Sequence, residues 1–156
     1  MTAENTNHSS FPDLTKRPPR SPRLQLGGYV LLPRMLDKGR AEIAGKNGEY
    51  HYNCPLDQRF VNFVGIDPAA LREQLAAGKG DGEILDWINQ NAQHKRTPWE
   101  IEQWSAYMQR RVPDSDAETR SQFGEMLGRL STTREDITTW ADLLDLDDYV
   151  SFGGKP

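Results

Sequence analysis

The stretch HYNCPLDQRF, residues 51–60, contains the residue types of a nucleophilic site. Cys54 precedes Pro55, which suits the first position of a helix, so the thiol would lie at a helix N-terminus where the dipole favours a thiolate. His51 stands three residues before the cysteine and Asp57 three after it, which supplies a base and an orienting acid. These three residues are the candidates for catalysis. The alternative is a small, partly buried side chain that acts as a weak helix cap.

A row of charged side chains interrupts the apolar residues of GGYVLLPRMLDKGRAEIAG, residues 27–45. Arg34, Asp37 and Arg40 follow at intervals of three, so Asp37 can pair with either arginine on a helix. At a cleft between helices, an arginine held by a carboxylate binds carboxylate or phosphate groups bidentately. Together with Lys38, these residues are the candidates for binding a small anionic ligand or a protein partner. A solvated row of charges is the alternative.

The sequence predicts neither a metal site nor a cofactor. The three histidines lack the spacing of a helical zinc motif. DLLDLDD, residues 142–148, lacks the glycine and the terminal glutamate of a calcium loop. GKGDGE, residues 78–83, has the glycines of a phosphate loop, but it follows a helix and lacks the Gly-Lys-Ser/Thr ending.

The elements that position these residues are predicted to be helices. From Tyr29 onward, capping residues repeatedly precede apolar residues at helical spacing, and the predicted starts are Asp67-Pro68, Asp81, Thr97-Pro98, Ser115 and Thr133. About six short to medium helices joined by short turns make an all-α single domain. The one β signal is Asn47-Gly48, which could turn a minor hairpin near residues 43–52.

The chain is predicted to divide into a leader, a domain and a tail. Residues 1–26 contain several prolines and few large apolar side chains, which predicts an extended or disordered leader. Its KRPPRSPR segment has the pattern of a polyproline ligand, and a solvated linker that lies across the domain is the alternative. Residues 27–152 would form the helical domain, and residues 153–156 a short tail.

Composition restricts the function class. A chain of 156 residues can bury a core without a disulfide, and its single cysteine cannot form one within the chain. The sequence contains neither a long apolar run nor the apolar core of a signal peptide, which predicts a soluble cytoplasmic protein without a membrane partner. The net charge of −4 argues against a nucleic-acid partner. Residues 1–40 carry seven bases and three acids, whereas residues 135–156 carry six acids and one base. The two ends could therefore dock, although exposed charges are screened.

Four segments resemble the bacterial domain of unknown function 5069. They are LGGYVLLPRMLDKGRA, LDQRFVNFVGID, DGEILDWI and DLLDLDD, at residues 26–41, 56–67, 81–88 and 142–148. The first is the specific one, because amphipathicity does not demand its order of Gly, Gly, Pro, Arg, Asp, Lys and Arg. The resemblance implies a small bacterial helical protein of unassigned activity and brings no catalytic residues. It also does not call for a cysteine at position 54, which weakens a mechanism built on Cys54.

Two function classes follow. The favoured one is a binding or regulatory domain in which Arg34, Asp37, Lys38 and Arg40 rim a site for a small anion or a protein partner. The alternative is a small enzyme that uses Cys54 and His51, or an acid such as Asp37 or Asp57, as its reactive groups. The sequence sets no oligomeric state. Convergence of both residue groups on one concave pocket would favour the enzyme.

Overall fold

The computed structural model describes residues 8–156, which contain seven helices and one short hairpin. The hairpin consists of β1 (Gln25–Leu26) and β2 (Tyr29–Val30). The helices are α1 (Leu32–Ile43), α2 (Pro55–Val64), α3 (Pro68–Ala76), α4 (Asp81–Asn91), α5 (Pro98–Arg110), α6 (Ala117–Leu130) and α7 (Trp140–Ser151). The predicted all-α fold class is confirmed, with one helix more than the six expected. None of the described helices is long and apolar enough to span a bilayer.

Side-chain caps determine where several helices begin. The Asp67 carboxylate accepts a hydrogen bond from the Ala69 N–H at 3.0 Å, and the Thr97 hydroxyl accepts one from the Glu100 N–H at 3.2 Å. Both starts match the predictions. The last helix begins later than predicted, at Trp140 instead of after Thr133, because the Thr139 hydroxyl caps it by accepting from the Asp142 N–H at 3.0 Å.

The hairpin lies at residues 25–30, and the one predicted near residues 43–52 is absent from the described structure. Gly27 and Gly28 form its two-residue turn with φ angles of 59° and 84°, which suit glycine and match the twist of paired strands. Residues 47–50 form a turn in which the Tyr50 N–H donates to the Asn47 carbonyl at 3.0 Å, but no strand flanks this turn. The Lys46 carbonyl, which a hairpin at Asn47-Gly48 would use, accepts instead from the Leu14 N–H of the leader at 2.8 Å.

Two apolar clusters make up the core. The main one joins the hairpin to α1–α5, and α1 contributes Leu32, Met35 and Leu36 to it. The second joins α6 to α7 through Phe123, Ile137, Leu143 and Leu146. Helix α1 is thus fixed on one side, and its charged residues must find partners around the rim of the main cluster.

The leader packs against the helices over its described residues, and residues 1–7 of the predicted leader lie outside them. Residues 8–24 contain turns but no helix or strand, and Leu14 is only 1% exposed. Arg23 pairs with Asp142 and with Asp145 of α7. The predicted docking of the basic end on the acidic end is confirmed. Composition alone missed the burial of Leu14, because one apolar side chain and a few ion pairs fix this segment.

Candidate functional site

The charged row of α1 does not pair within itself. Asp37 accepts three hydrogen bonds from Arg20 of the leader: from the backbone N–H at 2.9 Å and from Nε and Nη2 at 3.1 Å each. The predicted pairing of Asp37 with Arg34 or Arg40 is wrong. One leader residue supplies three donors to this carboxylate, whereas the two arginines of α1 reach carboxylates on other elements.

Arg34 belongs to a buried ion pair with α7. Its Nη1 and Nη2 lie 2.7 and 3.1 Å from the carboxylate oxygens of Asp148, and the Tyr50 hydroxyl donates to the same carboxylate at 2.8 Å. The side chains of Arg34 and Asp148 are 4% and 8% exposed. Burial acts to lower the pKa of Arg34, but the hydrogen bond and the charge of Asp148 outweigh it and raise the pKa. Arg34 is therefore a permanently charged structural link rather than an accessible anion receptor.

Lys38 joins two of the three catalytic candidates. Its Nζ lies 2.9 Å from Asp57 Oδ2 and 3.3 Å from Cys54 Sγ. The Asp57 side chain is fully buried and that of Lys38 is 6% exposed. Asp57 also accepts from the Cys54 N–H at 3.4 Å, which closes the first turn of α2. An ammonium group thus lies where the sequence predicted a histidine.

His51 does not join this group. It is exposed on the turn before α2, and no contact between His51 and Cys54 occurs in the part of the chain that is described. Spacing along the sequence suggested a base, but Tyr52 and Asn53 turn the chain between the two residues, and Asn53 has a φ of 60°. The arrangement of nucleophile, imidazole and acid is therefore not formed.

Arg40 and Asp37 face a cleft between the leader, α1 and the start of α4. Asp81, the first residue of α4, accepts from Arg40 Nη1 and from Arg20 Nη1, each at 2.7 Å. Arg40 also donates to the Lys79 carbonyl at 3.0 Å. Arg20 therefore bridges Asp37 and Asp81 and fixes the leader against the N-terminus of α4.

We call this space the leader cleft; its volume is about 610 Å³. Four cationic side chains and two carboxylates line it: Arg17, Arg20, Arg40, Lys79, Asp37 and Asp81. Phe11, Pro12 and Pro18 form an apolar wall of the leader cleft. The formal charge of the lining is thus positive by two, although the chain as a whole is acidic.

The electrostatics of the leader cleft shift the pKa values of Asp81 and Arg20 toward their charged forms. Burial acts to raise the pKa of Asp81, but hydrogen bonds from Arg20 and Arg40 outweigh it and lower the pKa. Burial likewise acts to lower the pKa of Arg20, whereas its bonds to Asp81 and Asp37 raise it. The charge of the Asp81 carboxylate is therefore compensated by the guanidinium groups of Arg20 and Arg40.

Sequence reasoning identified only Asp37 and Arg40 of the residues that line the leader cleft. Arg20 and Asp81 are 61 positions apart, and such a pairing leaves no periodic signal in the sequence. The available signals were the arginines of KRPPR and the charged loop GKGDGE, which turned out to face each other. Elsewhere, no group of three His, Cys, Asp or Glu side chains suited to a metal ion occurs within residues 8–156.

Comparison with known families gives one match. A family model described as "Domain of unknown function (DUF5069)" matches residues 16–150, which include α1–α6 and all but the end of α7. The matched span begins within the leader and contains Arg17, Arg20 and every other charged residue of the leader cleft. No curated protein matches the chain.

Proposed function

This chain belongs to the DUF5069 family of unknown function, and we propose that it is a binding or regulatory domain for a small anionic ligand. The ligand binds in the leader cleft, with its negative groups toward Arg17 and Lys79. Of the four residues predicted to rim a site, Asp37 and Arg40 support the walls of the leader cleft, whereas Arg34 and Lys38 are engaged in buried ion pairs.

The observation that carries the proposal is the excess of fixed positive charge in a concave site. Asp37 and Asp81 are already neutralised by Arg20 and Arg40, so the charge of Arg17 and Lys79 is left for a ligand. Arg17 is exposed and has no carboxylate partner among residues 8–156. Arg20 directs both edges of its guanidinium group to Asp37 and Asp81, so it supports the wall of the leader cleft and the ligand charge falls to Arg17 and Lys79.

The dimensions of the leader cleft favour a small organic anion. Its volume of about 610 Å³ is within the range of small-molecule sites. Phe11, Pro12 and Pro18 supply an apolar wall for a ring or an alkyl group. The expected ligand is a molecule with at least one phosphate group, or two carboxylates, attached to an apolar part.

The test is a thermal unfolding screen at constant ionic strength with inorganic phosphate, pyrophosphate, citrate and adenosine monophosphate. A ligand present at a hundred times its Kd adds about 2.7 kcal/mol, which raises the Tm of a domain of this size by about 5–10 °C. The double variant Arg17→Ala/Lys79→Ala removes the uncompensated charge and should lose the shift. Arg129→Ala, which removes an exposed base on α6, is the matched control and should keep it.

The proposal fails if none of these anions raises the Tm of the unchanged protein. It also fails if the double variant and the control keep the same shift, because binding would then occur away from the leader cleft. A protein partner remains the other proposed occupant. Capture of one that depends on Arg17 and Lys79, with no response to the small anions, would support that reading against a metabolite.

Thiol chemistry at Cys54 is the second candidate function. It is favoured by the Lys38 Nζ at 3.3 Å from Sγ and by the position of Cys54 before the first turn of α2. We rank it second because the arginines of α1 enter separate ion pairs instead of joining Cys54 in one pocket. The rate at which iodoacetamide alkylates Cys54 at neutral pH tests this function. A rate no faster than that of a free cysteine peptide excludes an activated nucleophile.

A bacterial and cytoplasmic origin belongs to the same proposal. A single cysteine, unpaired in the structure, suits a reducing compartment. The acidic net charge supports a function without nucleic acid. Detection of the native protein in the soluble cytoplasmic fraction of its host tests this part.

A further inference from the structure

A second, much smaller cavity lies where β2, α5 and α7 meet. Its volume is about 20 Å³, and apolar side chains such as Val30, Met108 and Leu144 form most of its lining. Two residues of a different kind complete it: Arg111, just after α5, and Trp140, the first residue of α7. The cavity therefore lies between the main cluster and the α6–α7 cluster, and none of its lining residues is acidic.

Both of these residues hold a buried hydrogen-bond donor without a partner. Within residues 8–156, Arg111 Nε and Trp140 Nε1 are two of only three buried side-chain N or O atoms that lack one. The third, Asn53 Oδ1, does not line this cavity. Buried donors almost always have an acceptor, so two orphaned donors at one cavity indicate a common acceptor there.

The positive charge at this point is also uncompensated. No carboxylate in the described part of the chain forms an ion pair with Arg111. Burial, followed by the like charge of Arg59, lowers the pKa of Arg111, and Asp114 and Tyr107 offset only part of this effect. A negative acceptor would remove both costs at once.

The two side chains are held as neighbours. Arg111 Cζ lies 5.6 Å from the centroid of the Trp140 ring. The backbone N–H of Trp140 donates a hydrogen bond to the backbone carbonyl of Arg111 at 3.0 Å. This backbone bond fixes the start of α7 against the end of α5. The two unpartnered donors therefore belong to neighbouring side chains that line the same cavity.

We propose that this cavity binds a single halide ion, chloride under ordinary conditions, which accepts hydrogen bonds from Arg111 Nε and Trp140 Nε1. The cavity has room for one atom of about the size of a water molecule, which excludes phosphate, sulfate and carboxylates. A water would satisfy both donors, but it would bring two O–H groups of its own to an apolar lining. A halide accepts hydrogen bonds and donates none.

The bound ion would stabilise the packing of α7 on α5. It joins a residue after α5 to a residue of α7, and the two apolar clusters meet at this seam. The proposal is independent of the leader cleft, because no residue lines both sites.

The test compares thermal unfolding in sodium chloride, sodium bromide and sodium gluconate at equal ionic strength. Gluconate is too large for the cavity, so both halides should raise the Tm of the intact protein above its value in gluconate, in a manner that saturates with concentration. Trp140→Phe removes one donor and keeps an aromatic ring, and it should abolish this difference. Trp99→Phe, at a site that is 68% exposed, is the matched control and should retain it.

A difference between halide and gluconate that persists in Trp140→Phe overturns the proposal, as does the lack of any difference in the intact protein. Should Trp140→Phe fail to fold, bromide-soaked crystals of the intact protein decide. An anomalous bromine peak between Arg111 and Trp140 supports the halide site. Density without an anomalous signal identifies a water and overturns it.

Discussion

At the scale of single residues, the most consequential pair is Lys38 and Asp57. Both are almost completely removed from solvent, and each is the other's only charged partner within 4.0 Å among residues 8–156. Separating two such charges leaves one of them in the interior without compensation, which costs far more than the pair contributes when intact. The pair therefore acts as a constraint that holds α1 and α2 in one relative position.

We predict that Lys38→Met destabilises the protein by about 3–5 kcal/mol, because it leaves the Asp57 carboxylate buried without a counter-ion. Urea denaturation measures this loss. The double variant Lys38→Met/Asp57→Leu replaces both charges by apolar groups and should be more stable than the single variant. Equal stability of the two variants would contradict the account of an uncompensated charge.

A second prediction concerns the stability of the folded protein at acidic pH. The pKa of Asp81 is lower in the folded protein than in the unfolded chain, where a carboxyl has a pKa of about 3.9. The unfolded chain therefore binds more protons in acid, so the stabilisation is complete above about pH 4 and is lost as the pH falls through the folded pKa. Denaturation midpoints measured between about pH 5 and pH 3 should fall, and Asp81→Asn should fall less steeply over the same range.

The partners of these charges could not be read from the sequence. The row Arg34, Asp37 and Arg40 was recognised, but Arg34 meets a carboxylate 114 positions away and Arg40 one that is 41 away. Helical spacing reports only neighbours three or four residues apart. Pairings across the fold depend on how helices pack, which local periodicity does not encode.

At the scale of elements, the contact between α1 and α3 depends on a glycine. A Cβ added at Gly39 would lie 2.6 Å from Leu75 Cδ1 and 3.2 Å from Tyr52 Cδ2. Leu75 is fully buried, so its side chain has no free space into which it can move. A glycine inside a helix usually costs stability, and at this position it is required for close packing.

We predict opposite signs for two glycine substitutions in helices. Gly39→Ala should destabilise the protein, because overpacking costs about 1–3 kcal/mol and exceeds the gain in helix propensity. Gly128→Ala in α6, where nothing lies within 4 Å of the new Cβ, should stabilise it by about 0.5–1 kcal/mol. Tm values of the two variants provide the comparison, and a stabilised Gly39→Ala would show that α1 and α3 can separate without cost.

The helices could be predicted from the sequence where a capping residue close to the first turn determines the helix start. Asp67 and Thr97 both cap the helices assigned to them, since a cap needs only residues two or three positions apart. The hairpin at Gly27-Gly28 was not predicted, because Asn47-Gly48 is the residue pair typical of a two-residue hairpin turn. The choice between the two depended on the leader, whose Leu14 takes the hydrogen bond that a hairpin at Asn47 would need.

At the scale of the whole molecule, the leader fastens the two ends of the domain together. Arg23 reaches Asp142 and Asp145, and Leu14 is buried near the turn that follows α1. The ion pairs are partly solvated, with the Arg23 side chain 38% exposed, so each contributes little. The apolar anchor must therefore provide most of the attachment.

We predict that Leu14→Ala destabilises the protein by about 2–5 kcal/mol, whereas Arg23→Gln costs less than about 1 kcal/mol. Leu24→Ala is the control within the leader, because Leu24 is 49% exposed and should have little effect. Urea denaturation gives the three values, and trypsin cleavage after the exposed Lys16 should accelerate only in Leu14→Ala. A larger loss in Arg23→Gln would show that charge holds the leader.

The pair between Arg34 and Asp148 also sets an order of events during translation. The ribosome releases Arg34 early and Asp148 more than a hundred residues later. Until then the guanidinium lacks its buried counter-ion, and α1 cannot settle into its final position without a charge penalty. A nascent chain stalled before residue 148 should therefore remain sensitive to proteases in α1, and the domain should acquire resistance in one late step.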